Sequence, residues 1–193
     1  PGFEQSKPLR KMGMHSSPTG ELFLTDVRAG KDRLIGETED VPSGGRAGAK
    51  DTFSIERSGV AAMALGIIER CLELSVQYAK DREQFGVPIG SFQASRFALA
   101  EMKTEIDMAT QWVDQAVHAL NAGTLTAEDA AAAKWWCSEL QGRVVDRCVQ
   151  LHGGYGYMLE YPIARAYADA RVTRIYGGTT EIMKEIVGRS LGV

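Results

Sequence analysis

Three short stretches mix glycines with side chains that can do chemistry: Asp81-Arg82-Glu83-Gln84-Phe85-Gly86, Gln150-Leu151-His152-Gly153-Gly154-Tyr155-Gly156-Tyr157 and Ile175-Tyr176-Gly177-Gly178-Thr179-Thr180-Glu181-Ile182. Each begins or ends a helical pattern. Helix ends carry bare backbone amides, and with a nearby arginine they suit a phosphate-bearing ligand. Arg82 offers a planar fork of donors that matches a pyrophosphate, and by itself it also fits a solvated cation at a helix C-terminus. Gly153-Gly154 lets backbone approach a ligand closely, or simply caps a helix. Free amides at the start of the third stretch can hold an anion or an oxyanion, and the same residues make a glycine turn with a threonine N-cap. One further carboxylate lies in Ile55-Glu56-Arg57, near a helix start, where it can serve as a base or as a dipole partner.

The elements that position these residues are mostly helical from Phe53 onward. Val60, Ala64, Ile67, Cys71, Leu74 and Tyr78 recur at steps of three or four and predict a helix over about 53–81. A second is expected over 91–122, capped by Ser91, with Phe92, Phe97, Ala100, Ile106, Val113 and Leu120 along its apolar side and Gly123 as its stop. Thr126 with Asp129 opens a third, which carries Ala130, Ala133, Cys137, Leu140, Val144, Cys148 and Leu151 and ends at Gly153-Gly154. Tyr161-Pro162 restarts a helix, and a last one runs from Thr180 to Ser190. Long helices joined by short loops predict a mainly α chain, an antiparallel helical bundle. Before it, residues 21–27 alternate as a strand, residues 15–20 read as a turn, and residues 36–50 read as a glycine-rich linker. One or two strands cannot bury a sheet face alone. The expected division is therefore a β remnant plus linker over 1–50 and a helical bundle over 51–193.

The chain has 193 residues, 44% hydrophobic and 24% charged, enough for a sizeable core. Its net charge of −3 argues against a generic nucleic-acid binder. No apolar run approaches the roughly 20 residues of a membrane span. Cys71, Cys137 and Cys148 all fall in helical patterns, which predicts reduced core thiols and an intracellular setting. None has metal-ligand spacing with a histidine.

Taken together and in this order, the three stretches resemble the C-terminal half of the flavin-dependent acyl-CoA dehydrogenases, over about Gly2 to Leu191. The resemblance implies that a helical domain and most of a β-domain precede this segment in such proteins. It implies that Arg82, Phe85 and Gln93 contact the pyrophosphate and adenine side of an FAD held by a neighbouring protomer. It implies that Gln150, Leu151, His152, Gly153 and Gly154 line the adenosine part, and that Thr179 and Glu181 touch FAD. Ser54, Arg57, Tyr176, Gly177 and Gly178 then face the substrate. Many family members place the catalytic glutamate where this sequence has Gly177, which cannot take a proton. In the long-chain and isovaleryl branches the base precedes an arginine on the first bundle helix, and Glu56 stands at that place here.

The implied reaction is α,β-dehydrogenation of an acyl-CoA thioester to a trans-2-enoyl-CoA. A carboxylate in a dry pocket removes the α-proton, backbone amides polarise the thioester carbonyl, and the flavin takes the β-hydride. The resemblance also implies a homodimer or homotetramer built through the bundle, an electron-transferring flavoprotein as acceptor, and a cytoplasmic place in a bacterium or the mitochondrial matrix in a eukaryote. Two other readings stay open from sequence: a flavin oxidase of the same superfamily, and an inactive helical oligomerisation or binding module.

Overall fold

The structure, a computed structural model, describes residues 1–33 and 45–192. Two short strands, β1 (Phe3–Gln5) and β2 (Leu22–Leu24), pair antiparallel with Phe3 opposite Leu24 and Gln5 opposite Leu22. Helix α1 spans Gly45–Asp81. A two-residue hairpin follows, β3 (Glu83–Gln84) and β4 (Val87–Pro88). Helices α2 (Gln93–Asn121), α3 (Ala127–His152), α4 (Pro162–Ala170) and α5 (Thr180–Ser190) complete the chain, with 3-10 turns at Gly153–Tyr157 and Arg171–Arg174. The mainly α fold with a small β remnant agrees with the sequence reading.

Helix α1 starts eight residues earlier than its apolar period suggests. Part of the expected linker, Gly45 to Lys50, is already helical, because Ala47, Ala49 and Lys50 are strong helix formers that outweigh Gly45 and Gly48. The rest of that linker, residues 36–44, lies outside the described residues. The strand expected over 21–27 is shorter, and the turn at 15–17 is present.

The core lies between α1, α2 and α3. Tyr78 at the end of α1 stacks on His152 at the end of α3, with centroids 4.3 Å apart. The two helices therefore run parallel, and α2 returns antiparallel between them, with Met102 of α2 beside Cys148. Buried on α1 are Val60, Ala61, Ala64, Leu65, Ile68, Cys71, Leu72, Ser75 and Ala79, so the expected Val60, Ala64 and Cys71 are in the core while the expected Ile67, Leu74 and Tyr78 are half-buried. Small side chains face α3, and the larger ones flank the contact. On α2 the buried residues are Met102, Ile106, Ala109, Val113 and Ala116. Phe92, Phe97 and Ala100, expected on that apolar side, are exposed instead. On α3, Ala130, Ala133, Cys137, Leu140, Val144 and Cys148 are all buried as read from sequence, and Leu151 is half-buried.

The caps follow local chemistry. Thr126 accepts from the Asp129 amide at 3.1 Å and donates to its carboxylate at 2.7 Å. Thr179 caps α5 by accepting from the Ile182 amide. Ser91 does not cap α2: its hydroxyl donates back to the Pro88 carbonyl at 2.6 Å, and Phe92 is the N-cap without a side-chain bond.

The first 30 residues dock on the bundle at one tight point. Gly13 is buried, and the Met14 amide donates to the Asp169 carboxylate on α4. A Cβ at position 13 would lie 2.6 Å from Asp169 Oδ1 and 2.7 Å from the Ala168 carbonyl.

Two stability predictions follow from this packing. Gly13→Ala should cost about 1–3 kcal/mol, since backbone has to move. Gly66→Ala, at a helical site with open space around the new methyl, should gain about 0.5–1 kcal/mol. Denaturant unfolding of the two variants checks both signs. Burial pushes the Cys71 and Cys137 thiols up to about 12. A thiol pKa raised on folding adds stability that is present below the unfolded value near 8.5 and is lost as pH rises toward 12. A pH series of unfolding midpoints should therefore fall on the alkaline side of about pH 9.

Candidate functional site

The chemistry-bearing residues gather at two places on α1, its C-terminal end and the stretch around Glu56, about three turns in from its start. At its C-terminal end, Arg82 follows the helix and its guanidinium lies 5.6 Å above the Tyr155 ring. The Tyr78 hydroxyl donates to the His152 carbonyl at 3.2 Å. His152 is buried, with Nδ1 2.8 Å from the Cys148 carbonyl. A carbonyl only accepts, so Nδ1 carries the proton there. Between these groups opens a cleft of about 680 Å³, walled by Tyr78, Arg82, Leu151, His152, Gly153, Gly154 and Tyr155 among others. Gly153 and Gly154 have open space where a Cβ would stand, so their backbone is bare to the cleft.

Three of the residues expected here stand apart from that cleft. Gln150, Phe85 and Gln93 are exposed and are not among its walls. Phe85 occupies the tip of the β3–β4 hairpin with φ of 55°, next to Gly86 at φ of 80°. A two-residue hairpin needs positive φ at both positions, which a bulky aromatic rarely adopts. Its ring is 93% exposed and touches Phe92 edge-on at 6.3 Å. An unfavourable backbone and an unburied aromatic in one residue mark a position kept for contact with something else.

Glu56, expected near a helix start, lies about three turns inside α1 because that helix begins at Gly45, and there the structure brings it beside the Tyr176–Thr179 turn, 120 residues away in sequence. A Cβ built on Gly177 would sit 3.6 Å from Glu56 Oε1 and 3.6 Å from Val60 Cγ2. The carboxylate of Glu56 thus reaches the space that a side chain at 177 would occupy. Gly177 and Gly178 hold φ of 62° and 105°, values that favour glycine. Glu56 is exposed on this chain. Arg57 lies 5.6 Å over the Phe53 ring, and its Nε is buried without a hydrogen-bond partner. Burial pulls the Arg57 guanidinium below its ordinary value, against the pull of Glu56. The Tyr176 hydroxyl is likewise buried without a partner, and burial raises it. Ser54 is half-buried, and its carbonyl accepts from Ser58 at 2.9 Å. Thr179 is half-buried. Glu181 is exposed at the first turn of α5, where its own amide and the Thr179 hydroxyl hold its carboxyl below the usual range.

Lys134 is the residue that the sequence reading missed. It is fully buried on α3, and its ammonium donates to the Gly178 carbonyl at 2.5 Å. The signal was present: position 134 lies four residues after Ala130 and three before Cys137, on the core stripe itself. A lysine on such a stripe is rarely buried without a partner.

The bare glycine backbone, the arginine and the aromatic wall of the first cleft fit the diphosphate and adenine of a dinucleotide cofactor. The second cluster offers a carboxylate beside a turn of free amides. Among the described residues no group of three or more His, Cys, Asp or Glu is placed to hold a metal ion, and no helix is long and apolar enough to cross a membrane.

The family model described as "Acyl-CoA dehydrogenase, C-terminal domain" matches residues 43–192. The chain is 42% identical to the long-chain specific acyl-CoA dehydrogenase of Rattus norvegicus mitochondria, over 98% of this chain and 43% of the relative. It is 38% identical to the 3-(aryl)acrylate reductase of Clostridium sporogenes, over 98% of this chain and 49% of that protein. Among solved structures it superposes on an acyl-CoA dehydrogenase from Geobacillus kaustophilus with a TM-score of 0.94 and 39% identity, covering all of this chain and 50% of the other. The chain thus spans about half the length of the curated relatives it matches. With the family model matching most of its length and relatives of about 40% identity along nearly all of it, the chain belongs to the acyl-CoA dehydrogenase family, whose C-terminal domain it carries.

Proposed function

We propose that this chain supplies the helical half of an FAD-dependent enzyme that converts an acyl-CoA thioester to its trans-2-enoyl product. The observation that carries the proposal is the Glu56 carboxylate lying 3.6 Å from the place of a Gly177 Cβ, beside a turn of unblocked amides. Glu56 takes the α-proton of the thioester. The Gly177 amide donates to the thioester carbonyl, where charge develops as that proton leaves. Arg57, Ser54, Tyr176 and Gly178 shape the substrate side, and the unpaired Arg57 Nε and Tyr176 hydroxyl supply donors there. When bound, FAD provides the two-electron acceptor for the β-hydride. Thr179 and Glu181 stand on its side of the turn.

The two clusters do not serve one flavin within one chain. Glu56 and Asp81 are 25 residues apart on one helix, about 37 Å at 1.5 Å per residue. That distance exceeds the reach of a single dinucleotide. Arg82, Phe85, Gln93 and residues 150–154 therefore serve the FAD of a second copy, which requires a homodimer or homotetramer through the bundle. The exposed, backbone-strained Phe85 fits that use. The electrons then pass to an electron-transferring flavoprotein, and the three buried free thiols suit a reducing compartment such as a bacterial cytoplasm or the mitochondrial matrix. The β remnant over 1–50 is the end of the family's middle domain, and 51–193 is its helical domain.

In the flavin-loaded enzyme, Glu56→Gln should slow α-proton exchange of bound acyl-CoA about 10²–10⁴-fold, the usual worth of a general base, with flavin content unchanged. Exchange at near-parent rates assigns the base elsewhere. Arg82→Ala should weaken flavin retention by about 1.5–3 kcal/mol, the scale of a charged hydrogen bond. Flavin titration of apo-enzyme reads this, and unchanged affinity removes Arg82 from the cofactor site.

A further inference from the structure

Lys134 has no part in the chemistry proposed above, yet among the described residues it is the largest fully buried side chain. Its three donors have one hydrogen-bond partner, the Gly178 carbonyl at 2.5 Å. An ammonium in a core is costly unless it is paired, and a methionine would fill the same space without that cost. The charge therefore answers a local need. Gly177 and Gly178 both hold positive φ, between the 3-10 turn ending at Arg174 and the start of α5. Two successive glycines lose much conformational freedom on ordering, so this turn gains from a brace outside itself. Lys134 reaches the Gly178 carbonyl from a helix 44 residues away in sequence.

We propose that Lys134 is a positioning residue: by donating to the Gly178 carbonyl it locks the Gly177–Gly178 turn in place over the carboxylate of Glu56. Burial and the Arg57 charge lower the Lys134 pKa, while Glu139 on its own helix and Glu56 on α1 raise it. The lysine thus shares its electrostatic surroundings with the substrate-side residues of α1. A second brace works beside it, where the Thr180 hydroxyl donates to Glu139 at 2.9 Å and Arg174 pairs with the other Glu139 oxygen at 3.4 Å. Together they tie the turn to α3 from both sides of Gly178.

The link to catalysis rests on the dehydrogenase reading, whereas the lock on the turn does not, and the test separates them. In the 193-residue chain, NMR should detect a scalar coupling across the hydrogen bond between Lys134 15Nζ and the Gly178 carbonyl carbon. A well-resolved lysine signal without that coupling overturns the lock. The amides of Tyr176, Ile182 and Met183 bracket the turn through bonds to Val172 and Thr179. Lys134→Met should speed their exchange at least ten-fold and change protection along α1 and α3 less than two-fold. Lys134→Arg, which keeps a donor cation, should restore at least part of that protection. Unchanged exchange at the turn, or equal loss throughout α3, overturns the proposal. In the flavin-loaded enzyme, Lys134→Met should slow α-proton exchange at least ten-fold while the affinity for the CoA thioester stays within about three-fold. A loosened turn with an undiminished exchange rate refutes the positioning role. A parent enzyme that exchanges no α-proton speaks against the dehydrogenase reading, and the amide measurements then judge Lys134 alone.

Discussion

Helices α1 and α3 meet through alanine and cysteine. Ala61, Ala64 and Cys71 on one and Ala133, Cys137 and Val144 on the other are at most 2% exposed, and side chains this small let two helix backbones approach closely along their length. Close-packed interiors transmit displacement rather than absorb it, so the register of this pair fixes everything attached to either helix. One end of the pair holds Glu56 against the Tyr176–Thr179 turn through Lys134. The other holds Arg82 and Gly153-Gly154 around one cleft through the Tyr78–His152 stack. A change of one residue in register would shift α3 by about 1.5 Å along its axis and separate the partners at both ends at once. The parallel course of α1 and α3 is what allows this, because it brings their C-terminal ends together and sets the first turns of α3 level with the Glu56 stretch of α1.

That arrangement gives the two ends different chemistry. The amides beside Glu56 are those that open α5, where negative charge is favoured and the oxyanion of the proposed reaction would be suited, whereas α1 and α3 act through their other ends. Where they end, backbone carbonyls accumulate and an anionic cofactor would be repelled. Under the proposed function, Arg82 and the backbone of Gly153-Gly154 are the groups that would offset that repulsion. The hairpin β3–β4 carries Phe85 outward at the same end, paid for by its positive φ. Nothing in the packing of one chain needs that residue there, since its ring has only the edge of Phe92 to touch.

Much of this was legible in the sequence, for identifiable reasons. The stripe on α3 was read correctly because its buried residues are apolar and its flanks are polar, so the period is unambiguous. On α1 the reading held at Val60, Ala64 and Cys71, which are buried, and slipped by one residue at Ile67, Leu74 and Tyr78, which are half-buried beside the buried Ile68, Ser75 and Ala79. Periodicity of size misleads where close packing selects small side chains. Phe92 and Phe97 failed for the opposite reason: they are apolar yet exposed on a single chain. The capping function of Ser91 was a local inference that the Pro88 carbonyl overrode.

The site divides in the same way. Glycine turns and the arginine after α1 are local signals, and the cleft that Arg82 shares with Gly153-Gly154 could be sought from their types. The meeting of Glu56 with Gly177 is a tertiary fact that no spacing encodes, because it depends on α5 folding back against α3. Lys134 lies between the two cases. Its place on an apolar stripe was visible, but its partner is a backbone carbonyl, and carbonyls carry no sequence signature. A buried cation bound to main chain is thus a kind of functional group that sequence patterns pass over, and it is found by asking what each buried charge is paired with.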